Sequence, residues 1–155
     1  MKTLVLGLGN PILSDDAIGL RVVEELEGNV GQQKVTLREA SVAGLGMLDL
    51  LTGYDRAIII DAIQTIEGEA GRIYRLDPEE LDFTRHAASP HDVNLATALE
   101  LGKRLGLSLP QQIVIFAIEV ADASTFSEEC TPKVREAIPV CVSMIIEDLS
   151  GHQDA

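Results

Sequence analysis

No apolar run in this chain approaches the about 20 residues that a bilayer-spanning helix needs, so no membrane association is expected. The first residues also lack the pattern of a secretory signal. They carry one lysine, no long apolar stretch, and glycines where that stretch would lie. Cysteine is scarce. Cys130 and Cys141 are too few and too far apart for a disulfide framework or a zinc knuckle. The expectation is a cytoplasmic protein with reduced thiols. Bases are scarce too: 12 against 25 acids, a net charge of −13. Such a surface repels a phosphate backbone, so no nucleic acid is expected as a partner. It suits a cation or a basic peptide segment, although plain solubility asks for the same charge. Internal repeats, low-complexity tracts and linkers are absent. No Ser-His-Asp or Cys-His arrangement is readable, so a covalent nucleophile is not suggested.

What is present is enough for one domain with a proper core: 155 residues, 46% of them hydrophobic. Residues 1–150 form the domain and 151–155 a polar tail. Residues 3–8 read as a buried strand, and 17–27 as a helix with Ile18, Val22, Val23 and Leu26 at helical spacing. Val35 to Val42 is a second strand and Gly44 to Thr52 a short helix. Arg56 to Ile63 is a third strand. Gly71 to Leu76 is shorter, and its alternation of apolar and charged residues suggests a sheet edge. A helix begins near Ser89, where Ser89-Pro90-His91-Asp92 supplies a cap, and runs to about Leu105. Ile113 to Val120 is a fifth strand. The last helix runs from Thr131-Pro132 to about Leu149 and is expected to be disturbed at Pro139. Alternating strands and helices give an α/β fold. Only seven residues, Gln64 to Ala70, join the third strand to the fourth, and a parallel crossover needs a dozen or more. The fourth strand is therefore antiparallel, in a mixed five-stranded sheet.

The chemistry gathers at one rim of that sheet. The turn Gly7-Leu8-Gly9-Asn10-Pro11-Ile12-Leu13-Ser14-Asp15-Asp16 leaves the first strand with two adjacent acids before the helix, where a doubly wound sheet places its ligands. Asp61 ends the third strand after three isoleucines. An acid there lies near buried surface, and burying it without a partner costs several kcal/mol. His91 sits on a capped first turn. Glu119 and Asp122 either line the rim or face water, and Asp16 also complements a helix dipole. Two carboxylates and an imidazole suit a borderline divalent ion such as nickel or zinc. His86 and His152 read as solvated, and Cys141 as core packing. A dinucleotide site is disfavoured. Ile12 stands where its fingerprint needs glycine, and acids at 15 and 16 would face a pyrophosphate.

The opening Gly7-x-Gly9-Asn10, with Asp15-Asp16-Ala17-Ile18-Gly19, then Ile60-Asp61-Ala62, Ser89-Pro90-His91-Asp92 and Ile118-Glu119, resembles the nickel–iron hydrogenase maturation endopeptidases in order along most of the chain. That resemblance implies a three-layer α/β/α sandwich on a mixed five-stranded sheet with one antiparallel strand. It implies an aspartyl-type endopeptidase that removes a C-terminal peptide from a hydrogenase large-subunit precursor after nickel insertion. Nickel would be carried by the substrate and gripped by the residues matching the family's ligands, Asp16, Asp61 and His91, in a monomeric enzyme. Asp16 stands where the family often has glutamate. Ala17 and Val120 depart from its usual glycine and proline. On this resemblance Asp61→Ala abolishes processing without unfolding the domain, and Asp15→Ala does less. Two alternatives share features. Gly-Leu-Gly-Asn-Pro also opens peptidyl-tRNA hydrolases, but Arg21-Val22-Val23 stands where those esterases carry a histidine and an asparagine. A nickel-carrying chaperone would use the same three ligands without cleaving anything.

Overall fold

The computed structural model describes residues 1–30, 34–42, 44–81 and 95–151. Five strands, β1 (Thr3–Leu8), β2 (Val35–Ala40), β3 (Arg56–Ile63), β4 (Ile73–Leu76) and β5 (Gln112–Glu119), form one sheet in the order β2-β1-β3-β5-β4. The first three and β5 are parallel, and β4 runs antiparallel on the outer side of β5. The short third connection forces this reversal, as its length predicts.

Helices α1 (Ile18–Leu26) and α5 (Pro132–Ser150) cover one face, and α2 (Met47–Leu51) and α4 (Leu95–Arg104) the other; α3 (Pro78–Leu81) is a single turn. Side chains alternate along each strand, so the sheet feeds two cores. Val5, Ile58, Ile60, Phe116 and Ile118 meet Val22, Val23 and Leu26 of α1 and Val134, Cys141 and Ile145 of α5. Leu4, Leu6, Ile59 and Ile115 meet Met47, Leu51, Leu95 and Leu99. The run Ile58-Ile59-Ile60 is apolar throughout because both faces of β3 are covered. Helix α1 lies hard against the sheet at Gly19, where a Cβ would collide with the carbonyls of Leu8 and Ile60.

Three local features differ from the sequence reading. Strand β2 stops at Ala40, where the Gly9 amide takes its carbonyl and the Ser41 hydroxyl takes that of Gly9. Helix α5 runs unbroken through Pro139, contrary to the expected disturbance. Pro139 sits on the exposed side, where water can satisfy the carbonyl it leaves, while Ala137, Cys141 and Val142 anchor the buried side. The turn α3 has no periodicity to betray it. The start of the fourth helix near Ser89, with His91, lies outside the described residues, as do His86 and His152.

Candidate active site

Connections from β1 and β3 diverge: β1 leads to β2 on one side, while β3 leads toward β5 and β4 on the other. A doubly wound sheet opens a crevice beyond the strand ends at such a point. The turn after β1 supplies one wall. Asn10 closes it twice, accepting from the Ile12 amide on its side chain (3.2 Å) and from the Leu13 amide on its carbonyl (3.2 Å). Ser14 then adopts φ 46°, a left-handed conformation costly for a residue with a side chain. It opens a 3-10 turn over Ser14–Ala17. That turn folds back so that the Asn10 amide donates to Asp16 Oδ2 at 3.0 Å. Gly9, at φ 153°, is what lets the backbones approach: a Cβ there would strike the Asp16 carbonyl. Asp16 is left half-buried at the rim.

Its neighbour has a different task. Asp15 is fully buried, and its carboxylate accepts from the amides of Ala121 (3.0 Å), Asp122 (2.9 Å) and Thr131 (2.6 Å) and from the Thr131 hydroxyl (2.8 Å). Ser14 adds its amide to the Ser127 carbonyl (2.9 Å) and its hydroxyl to the Glu129 carbonyl (3.0 Å). The opening turn is thereby stitched to the loop before α5. Thr131, at the N-cap of that helix, gives its hydroxyl to Asp15 rather than to the helix. Sequence reasoning missed this clasp.

Asp61 is half-buried near the end of β3, with Oδ1 accepting from the Ala62 amide at 2.8 Å. It shares the sheet face of Ile59 and Ile63 and lies one residue beyond the last β1–β3 pair, Gly7 with Ile60. Asp16 and Asp61 therefore belong to one rim, on adjacent strand ends. Among the described residues no three His, Cys, Asp or Glu side chains gather into a metal-binding group.

Glu119, the last residue of β5, does not face water. It is buried, and accepts from the Thr65 amide (2.8 Å), the Thr65 hydroxyl (2.6 Å) and the Tyr74 hydroxyl (3.3 Å). It fastens the β3–β4 connection beside Asp61, so its effect on the site is positional. Asp122 closes its own turn; hydrogen bonds from Thr125 and Ser124 hold its carboxyl below the usual range. Both thiols are free and buried. Burial pushes the Cys141 thiol up to about 12, and burial with the nearby Asp15 charge raises Cys130. Neither is a nucleophile at neutral pH. A cleft of ≈ 450 Å³ opens at the opposite rim, between Arg56, Glu79, Leu99, Lys103 and Gln112. None of the opening-turn residues reaches it.

The structure is a parallel-dominated α/β/α sandwich with two half-buried acids at the strand-switch rim, and its buried thiols disfavour a cysteine nucleophile. The hydrogenase maturation protease family model matches residues 20–148. The chain is 34% identical over 121 residues to the hydrogenase 2 maturation protease of Escherichia coli, covering 76% of this chain and 73% of that protein. It superposes on the hydrogenase maturating endopeptidase HybD of E. coli with a TM-score of 0.80 at 28% identity, over 99% of this chain and 94% of that one. A hydrogenase 2 maturation peptidase from a Thaumarchaeota archaeon follows with a TM-score of 0.68 at 27% identity, covering 96% and 98%. The chain belongs to the hydrogenase maturation protease family, and it is a peptide-bond hydrolase.

Proposed function

We propose that the chain removes the C-terminal extension of a nickel–iron hydrogenase large-subunit precursor after nickel insertion, acting as a cytoplasmic monomer. Nickel arrives on the substrate, and Asp16, Asp61 and His91 grip it. The observation that carries this function is a pair of half-buried carboxylates, from the β1 turn and the β3 end, at one strand-switch crevice of this family's fold. Such a crevice has little hold on an ordinary peptide. A cation already seated in the substrate supplies that hold, because carboxylate–cation attraction is worth more where water is partly excluded. Oxygen donors with one imidazole suit nickel, and either the cation or a carboxylate would activate the attacking water.

The test is to incubate nickel-loaded precursor with purified wild type and with Asp16→Ala, Asp61→Ala and His91→Ala, and to weigh the large subunit by mass spectrometry. Wild type yields a shortened subunit and each variant leaves it full length, with unfolding transitions close to wild type. Retained cleavage by Asp61→Ala would remove that residue from the chemistry. A wild type that binds nickel and leaves the precursor intact would instead be a metal carrier.

A further inference from the structure

Large apolar side chains are exposed at the same rim. Phe126 is 80% exposed and Ile12 49%. Backbone pairing sets them side by side: the Ser127 amide donates to the Ile12 carbonyl (2.9 Å), the Ser14 amide donates to the Ser127 carbonyl (2.9 Å), and Leu13 bridges Ser127 in parallel. Val42, just past β2, and Ile66, just past β3, are exposed at this end of the sheet as well.

A slack loop would let a phenylalanine fold back onto the surface, because burial of an aromatic ring is favourable. This loop is held. Asp122 accepts from the amides of Ser124 (3.0 Å) and Thr125 (2.9 Å), and Asp15 clasps Ala121, Asp122 and Thr131. The Arg21 guanidinium spans the carbonyls of Pro11 (3.2 Å) and Glu128 (3.1 Å), tying the two segments across their outer side. Phe126 is thus kept outward by the same clasp that sets the turn bearing Asp16. An aromatic anchor presented without further ordering is what a protein interface uses for affinity.

We propose that Phe126 and Ile12 form a docking ridge for the folded body of the substrate, the surface from which its C-terminal extension emerges. The docking role presupposes that the chain processes such a precursor. The partner presents an apolar recess bordered by basic side chains. Glu24, Asp122, Glu128 and Glu129 surround the ridge against Arg21 and Arg135, on a chain of net charge −13. A second copy would set these acids against each other, which an interface avoids. An isolated peptide would reach the crevice without needing a ridge beside it. A folded substrate offers its tail and the adjoining surface together.

Steady-state processing of nickel-loaded precursor by wild type, Phe126→Ser, Phe126→Leu, Ile12→Ser and the double serine variant decides the matter. Phe126→Ser raises KM about tenfold or more and leaves kcat within about twofold, as loss of an interface anchor does. The double variant raises KM further, and Phe126→Leu restores most of the affinity. Thermal unfolding of all four matches wild type, because both side chains are exposed. An unchanged KM for Phe126→Ser, in a wild type that does process the precursor, overturns the ridge and leaves the function standing. A wild type that processes no precursor defeats the function and the ridge with it. A wild type that sediments as a dimer, split by Phe126→Ser at unchanged KM, assigns the face to a second copy and overturns the proposal.

Discussion

Asp15 and Asp16 are neighbours in sequence with opposite environments, and substitutions should separate them. Removing the Asp15 carboxylate strands three amides and a hydroxyl in a buried place. We expect Asp15→Ala to cost about 2–4 kcal/mol of stability, measured by chemical denaturation, and to disorder the turn that carries Asp16. Asp16→Ala should cost less than half as much while abolishing processing. Equal stability losses for the two would remove Asp15 from the clasp. The milder effect on processing that sequence reasoning assigns to Asp15→Ala therefore gives way to an effect on the fold itself. The pair of acids was legible; the clasp that Asp15 makes was not. Asp15's partners lie 106 to 116 residues further along, in a loop without periodicity. Cys141 was legible, because a thiol within an apolar helical pattern packs inward; Cys130, in the loop before α5, had no such pattern. With both thiols pushed upward by burial, neither should react with iodoacetamide at pH 8 in the native protein, and both should after denaturation. Rapid labelling of Cys130 in the folded state would contradict its buried position.

Elements repeat the lesson at larger spacing. Apolar runs and connection lengths revealed β1, β3, β5 and the reversed β4, since those features arise from local chemistry. The exact end of β2, the turn α3 and the continuity of α5 depend on contacts made only after folding. Pro139 is an example. It forfeits a helical hydrogen bond, yet its exposed position and the buried residues around it keep α5 whole. Pro139→Ala should therefore stabilise the domain by about 1–3 kcal/mol, raising Tm by about 2–4 °C per kcal/mol. A lowered Tm would mean that the proline is needed for the path of α5. On β2, partial desolvation of the exposed Glu39 and then the charges of Glu24 and Glu27 raise its carboxyl above its ordinary value. An acid with a raised pKa in the folded state holds a proton that the unfolded chain has lost. Its favourable contribution is present at low pH and lost as pH rises through the raised value. Glu39→Gln should thus be more stable than wild type at pH 7, with the difference vanishing well below the carboxylate range. A constant difference from pH 3 to pH 8 in thermal melts would show that charge is not its cause.

At the scale of the whole molecule, the sheet order decides where chemistry is possible. Placing β1 beside β3 brings the opening turn and Asp61 to one crevice. The loop clasped by Asp15 frames it, and Glu119 anchors the β3–β4 connection beside it. The candidate carboxylates could be picked out in sequence because an acid after an apolar strand has few harmless places to go. The ridge of Ile12 and Phe126 could not, because exposure belongs to the folded surface. An enzyme with inert thiols, a net charge of −13 and an acidic crevice should depend on a cation that its substrate brings. The direct measurement is wild-type cleavage of the same large-subunit precursor prepared nickel-free and nickel-loaded, followed by mass spectrometry. The account predicts a shortened product from the loaded precursor alone. Equal cleavage of both would contradict it, because substrate-borne nickel would then not be what the crevice recognises.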